Sequence, residues 1–245
     1  MKISAKKIIT CILLVICLFL CAFIGFYLYE RQQELNAQRE EQERIMAVPV
    51  ENPDMPEEYR KLKADNPDVY GWIMVEGTDI SYPILQSQED NAFYLNYNPE
   101  KQESEAGSIF SENYNSQDFT DFLTVLYGNC MEDGSMFGEL LNYEDPVFFE
   151  ENREIKVLLP DKTLHYYIFA TYTGDNSHLL LTRDLSKEEN RNRYISDIFR
   201  QRGLKNNLDK SVDVGPDDKI LALSTGHPTD PDSRFIVQSI LRKSG

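Results

Sequence analysis

Hydrophobic and polar residues are sorted into blocks along this chain. Residues 8–28, IITCILLVICLFLCAFIGFYL, make a 21-residue run without a charged side chain. As a helix rising about 1.5 Å per residue, such a run reaches about 30 Å, the thickness of a bilayer's hydrocarbon core. Residues 30–46, ERQQELNAQREEQERIM, are almost wholly polar and rich in helix formers, which predicts a solvated helical stalk. No a/d heptad is sustained through it, so the pattern does not specify a coiled coil. AVPVENPDMP (47–56) carries three prolines and breaks the helix.

Beyond that break the period changes. PEEYRKLKADNPD (56–68) reads as a short helix with Pro56 at its start, stopping before Pro67. From residue 71 onward, short runs rich in Ile, Val, Tyr and Phe alternate with turn residues. The candidate strands are GWIMVEGTDISYPIL (71–85), SIF (108–110), FLTVLY (122–127), EIKVLLP (154–160), LHYYIFATYT (164–173), KILALST (219–225) and RFIVQSIL (234–241). FGELLNY (137–143) predicts a helical turn. One longer helix is predicted after Ser186, where Ser186 and Glu189 form a capping-box pattern ahead of Tyr194, Ile195, Ile198 and Phe199 on one helical face. At least seven strands with few helices predict a mixed or antiparallel closed sheet. Three segments follow: 1–29 as cytoplasmic tip and transmembrane anchor, 30–55 as stalk and linker, and 56–245 as a β-barrel domain.

Charge fixes an orientation for the apolar run. Lys2, Lys6 and Lys7 precede it, and Glu30 and Arg31 follow. The basic excess on the N-terminal side places the N-terminus in the cytoplasm and the remainder outside the cell. The run is longer than a cleavable signal's core and lacks a small-x-small cleavage site, which predicts an uncleaved signal anchor. Removing residues 1–28 leaves 22 basic against 41 acidic residues, a net of −19 on the exported part. Such a surface is not built to hold nucleic acid phosphates. Cys11, Cys17 and Cys21 lie in the apolar run and Cys130 stands alone outside it, so the exported part forms no internal disulfide. There is no zinc signature, and no cofactor is expected.

Several strings resemble one known family. NPDVYGWI (66–73), ISYPILQSQEDNAFYL (80–95), AGSIF (106–110), YGNCMEDGSMFGEL (127–140) and DDKILALST…RFIV (217–237) together resemble class B sortases, in the family's order and from about residue 56 to the end. The resemblance implies an eight-stranded β-barrel with extra helices on a membrane anchor at a Gram-positive cell surface. It also implies a cysteine transpeptidase, whose thiolate attacks a carbonyl of a sorting signal before a peptidoglycan amine resolves the acyl-enzyme. In that family a histidine follows the Tyr-Gly of one motif, a cysteine ends an LSTC motif, and an arginine lies at the start of the next strand.

Carried over residue by residue, the arginine falls on Arg234, the histidine on Asn129 and the cysteine on Gly226. Glycine offers no nucleophile, and an asparagine amide exchanges no proton near neutral pH. Losing the nucleophile of a covalent mechanism costs about 10⁶-fold in rate, or about 8 kcal/mol of barrier. The expectation is therefore a pseudo-sortase that binds a sorting-signal-like peptide or a cell-surface protein, with an active sortase or peptidoglycan as further partners. One alternative remains open. Cys130 follows Asn129 and His227 follows Gly226, so the two reactive types are present but exchanged between motifs and shifted by one residue. An active transpeptidase could use Cys130 as nucleophile and His227 as base beside Arg234. Strand alternation argues against it, since a shift of one residue turns a side chain to the other face. Ser224 and Thr225 read as structural. His227, Asp230 and Asp232 read as a solvated turn rather than a metal site. His165 and His178 read as ordinary residues.

Overall fold

The computed structural model describes residues 5–242, with the side chains of residues 19, 20 and 22 onward. The chain divides into two compact units between Val48 and Pro49. The first is a single helix, α1 (Ala5–Met46), whose polar half carries surface ion pairs such as Arg44–Glu41 at 2.8 Å. Among the described residues no helix is long and apolar enough to cross a membrane. The expected anchor, residues 8–28, falls largely on residues 8–18 and 21, whose side chains lie outside the description.

The second unit opens with α2 (Glu57–Asp65), which buries Tyr59 and Leu62 and ends at extended Asn66, the residue before Pro67. The strands follow: β1 (Val69–Val75), β2 (Ser81–Leu85), β3 (Ile109–Phe110), β4 (Leu123–Tyr127), β5 (Glu154–Leu158), β6 (Thr163–Asp175), β7 (Asn207–Leu208), β8 (Ile220–His227) and β9 (Asp230–Leu241). Their order is β5-β1-β2-β3-β4-β8-β9-β6, and β6 pairs back onto β5. Eight strands therefore close a barrel with helices around it, while short β7 pairs with the later part of β6. The β2–β3 and β4–β8 pairs are parallel and the others antiparallel, so the sheet is mixed.

Side-chain alternation along β8 and β9 sorts the core into two layers. Leu221, Leu223, Phe235 and Val237 point into the barrel, against Ile73, Ile84, Leu126 and Phe137. Ile220, Ala222 and Ile236 point outward and pack with Tyr194, Ile195 and Ile198 of α4 (Glu188–Phe199). Ser224 and Gly226 continue that outward row beyond α4, which is what exposes them to a cleft.

Some local expectations change. Ser186 does not cap α4. The helix N-cap is Lys187, without a side-chain bond, and the Ser186 hydroxyl donates instead to Asp184 Oδ1 at 2.5 Å. A carboxylate two residues away offers a charged acceptor inside a tight turn and takes the hydroxyl from the helix. Helix α3 (Pro146–Glu151) was not among the expected elements, although Asp145-Pro146 is a helix-start signal. Asp145 accepts from Val147 N at 2.7 Å, and proline occupies the first turn. The expected turn at 137–143 is a 3₁₀ helix over Gly138–Glu144.

Candidate functional site

An open cleft of about 830 Å³ lies over the outward ends of β3, β4, β8 and β9. Its floor is a row of residues in register across four strands. Phe110 pairs with Tyr127, Tyr127 with Ser224, and Ser224 with Ile236. Asn129, Cys130, Gly226, His227 and Arg234 all border the same cleft.

Gly226 stands opposite Arg234 in the β8–β9 ladder. A Cβ added to Gly226 would meet nothing within 4 Å, so the position of a side chain is open space. Arg234 is half-buried, and its Nη1 donates to the carbonyls of Ser233 at 3.0 Å and Pro231 at 3.3 Å. The guanidinium is thus folded back onto its own hairpin.

Asn129 lies just past the end of β4. Its Nδ2 donates to Leu95 O at 2.9 Å, Glu105 O at 3.1 Å and Ala106 O at 3.2 Å. The amide therefore ties two loops to the barrel. The Asn129 backbone carbonyl accepts from Phe137 N at 2.9 Å.

Cys130 is held by a backbone bridge to Met136, and burial pushes its thiol pKa up. An activated cysteine needs the opposite shift. The ladder slips between Gly226 and His227, and His227 turns to Glu144. Its Nε2 lies 3.4 Å from Glu144 Oε1, and its Nδ1 lies 3.0 Å from Thr229 Oγ1. Among the described residues, neither ring nitrogen is hydrogen-bonded to Cys130. Thr225 Oγ1 donates to Gly128 O at 2.8 Å and joins β8 to the end of β4. His165 pairs with Glu154 at 2.9 Å on a separate part of the surface. Asp230 accepts from Asp232 N at 3.0 Å in a tight turn. Among the described residues no group of three or more His, Cys, Asp or Glu gathers to hold a metal ion.

One cluster was missed in the sequence. His178 reaches the cleft wall from the loop after β6 and places Nε2 at 2.8 Å from Glu112 Oε2, and Tyr127 Oη donates to the same carboxylate at 3.1 Å. Burial, and then the Glu112 carboxylate, raise the Tyr127 phenol pKa. His178 and Glu112 are 66 residues apart, so no local pattern announces them.

A curated relative, sortase B of Listeria monocytogenes, is 31% identical over 222 residues, covering 89% of this chain and 88% of the relative. The chain belongs to the class B sortase family. Among solved structures, sortase B of Clostridium perfringens is 28% identical, with a TM-score of 0.66, over 75% of this chain and 99% of its own. A Streptococcus pyogenes class B sortase involved in pilus biogenesis is 30% identical, with a TM-score of 0.64, over 74% and 96%. No family profile matches the chain. This sortase therefore keeps the family's barrel, with Gly226 and Asn129 bordering its cleft.

Proposed function

We propose that this protein is a catalytically inactive class B sortase that binds an extended peptide, either a sorting-signal-like segment or part of a surface-protein partner, in the cleft beside Arg234. The observation that carries the reading is the empty space over Gly226. The cleft is open and its floor intact, yet position 226 carries no side chain and so no sulfur. Without a thiolate no acyl-enzyme forms, and Arg234 alone polarises a carbonyl without attacking it. Asn129 supports the same reading, because its amide is engaged with backbone carbonyls. The exchanged pair of Cys130 and His227 fits the geometry less well, since His227 is engaged by Glu144 and Thr229 and the Cys130 thiol is shifted away from ionisation. The 21-residue apolar run would anchor the protein with its N-terminus in the cytoplasm and the barrel outside.

The test is a cleavage assay on the full chain with peptides that active class B sortases cleave. The natural protein is expected to bind without cleaving, and the double variant Asn129→His/Gly226→Cys to regain cleavage. A covalent peptide adduct on the natural protein would overturn the reading.

A further inference from the structure

The acidic wall of the cleft points to the chemistry of its ligand. Glu112 lies two residues beyond Phe110, and its carboxylate is held by the Tyr127 hydroxyl and by His178 Nε2. His178 Nδ1 accepts from Leu180 N at 3.2 Å and Leu181 N at 3.3 Å. An imidazole nitrogen that accepts from backbone N–H groups presents its lone pair to them, which leaves Nε2 to donate to Glu112 and orient it. Beside the carboxylate, the rings of Phe110 and Tyr127 stand 5.6 Å apart at 31°. Aromatic faces next to a carboxylate attract an ammonium or guanidinium group.

The rest of the cleft adds to the bias. Asp90 and Glu105 also border it, while among the described residues Arg234 is the lone Lys or Arg of its lining and has its Nη1 engaged by its own hairpin. We propose that the cleft contains a subsite for a cationic side chain, a lysine or arginine of an extended peptide, with Glu112 as counter-ion and Phe110 and Tyr127 as its floor. This rests on the peptide-binding reading above. Phe110 and Gly226 are two strand spacings and two residues apart in the ladders, roughly 12 Å, which an extended chain spans in about three to four residues. The cation therefore belongs three or four residues from the residue lying over Gly226.

The experiment uses the full chain in detergent and fluorescein-labelled octapeptides of threonine and asparagine, each with a single Lys, Gln or Glu, read by anisotropy. Competition between the octapeptides and a thiol label on Gly226→Cys locates binding in the cleft. Lysine peptides are expected to bind about ten-fold tighter than their glutamine counterparts, with the advantage falling as salt rises. Glu112→Gln should abolish the preference for lysine over glutamine peptides. Glu112→Asp should retain part of it, and Asp90→Asn most of it. Preference that survives in Glu112→Gln, or is lost equally in Asp90→Asn, overturns the assignment. Peptides that bind regardless of charge refute the cation subsite and leave the peptide-binding reading intact. Failure of every peptide to bind refutes both. If Glu112→Gln does not fold, Glu112→Asp decides, and an unchanged lysine preference there counts against Glu112.

Discussion

Gly226 faces Arg234 across the β8–β9 ladder with no atom within 4 Å of the place a Cβ would take. The backbone there also lies outside the left-handed region, so a side chain meets neither a clash nor strain. Gly226→Ala should stabilise the protein by about 0.4–1 kcal/mol, because alanine has fewer unfolded conformations to lose. Urea denaturation at neutral pH measures this, and a loss of stability would show that the site is less open than described.

Asn129 should behave in the opposite way. Asn129→Ala removes the donor for three backbone carbonyls and loosens the loops at Leu95 and Glu105. A cost of about 1–3 kcal/mol is expected, since each such hydrogen bond is worth about 1 kcal/mol net. Hydrogen exchange should rise in residues 93–107. Asn129→His cannot serve all three carbonyls either, so the double variant that restores cleavage should be less stable than Gly226→Cys alone.

Gly128 has no room at all. A Cβ there would come within 2.4 Å of Ile109 Cδ1 and 2.8 Å of Phe137 Cδ2, both inside the barrel. Overpacking of this kind costs about 1–3 kcal/mol. Gly128→Ala should lower Tm by several degrees in calorimetry, and peptide affinity should fall with it, because Gly128 O anchors Thr225.

Cys130 should be a sluggish thiol. Burial raises its pKa above the usual cysteine value, so less thiolate is present at neutral pH. Alkylation should be slower than for a free cysteine in the same buffer, and His227→Ala should leave the rate unchanged. A rate that drops in His227→Ala would revive the exchanged pair.

Acid should weaken the barrel in part through Asp118. Hydrogen bonds from Ser116 and then Thr120 hold its carboxyl at about 2, below its ordinary value. A depressed folded pKa contributes stability that is fully present above the unfolded pKa, near 4, and is lost as pH falls through the folded one. The carboxylate is exposed, so the effect is small. Asp118→Asn should flatten the decline in Tm between about pH 4 and pH 2, and an unchanged slope would exclude the contribution.

The barrel was legible because its strands are short apolar runs separated by turns, and seven of those runs reappear as strands or strand pairs. Two-residue β7 has no room for a period, and α3 is too short to show one. The capping-box pattern before α4 misled because Asp184 competes for Ser186, a contest the four-residue pattern does not contain. At the site, the motifs alone picked out Asn129 and Gly226, and both border the cleft. Where His227 turns could not, because it depends on a slip in the ladder after Gly226. The Glu112–His178–Tyr127 cluster escaped for a different reason. Its members come from three segments, and only the folded loop after β6 carries His178 to the other two.

The parallel β4–β8 pair joins Leu123 to Ile220, segments about a hundred residues apart. The floor of the cleft is laid across that seam. A growing chain thus has no such floor until its final hairpin arrives, and a premature stop before residue 220 would remove the cleft while sparing more than half of the strands. The cleft is consequently among the last features of the barrel to form, since its two halves lie far apart in the chain.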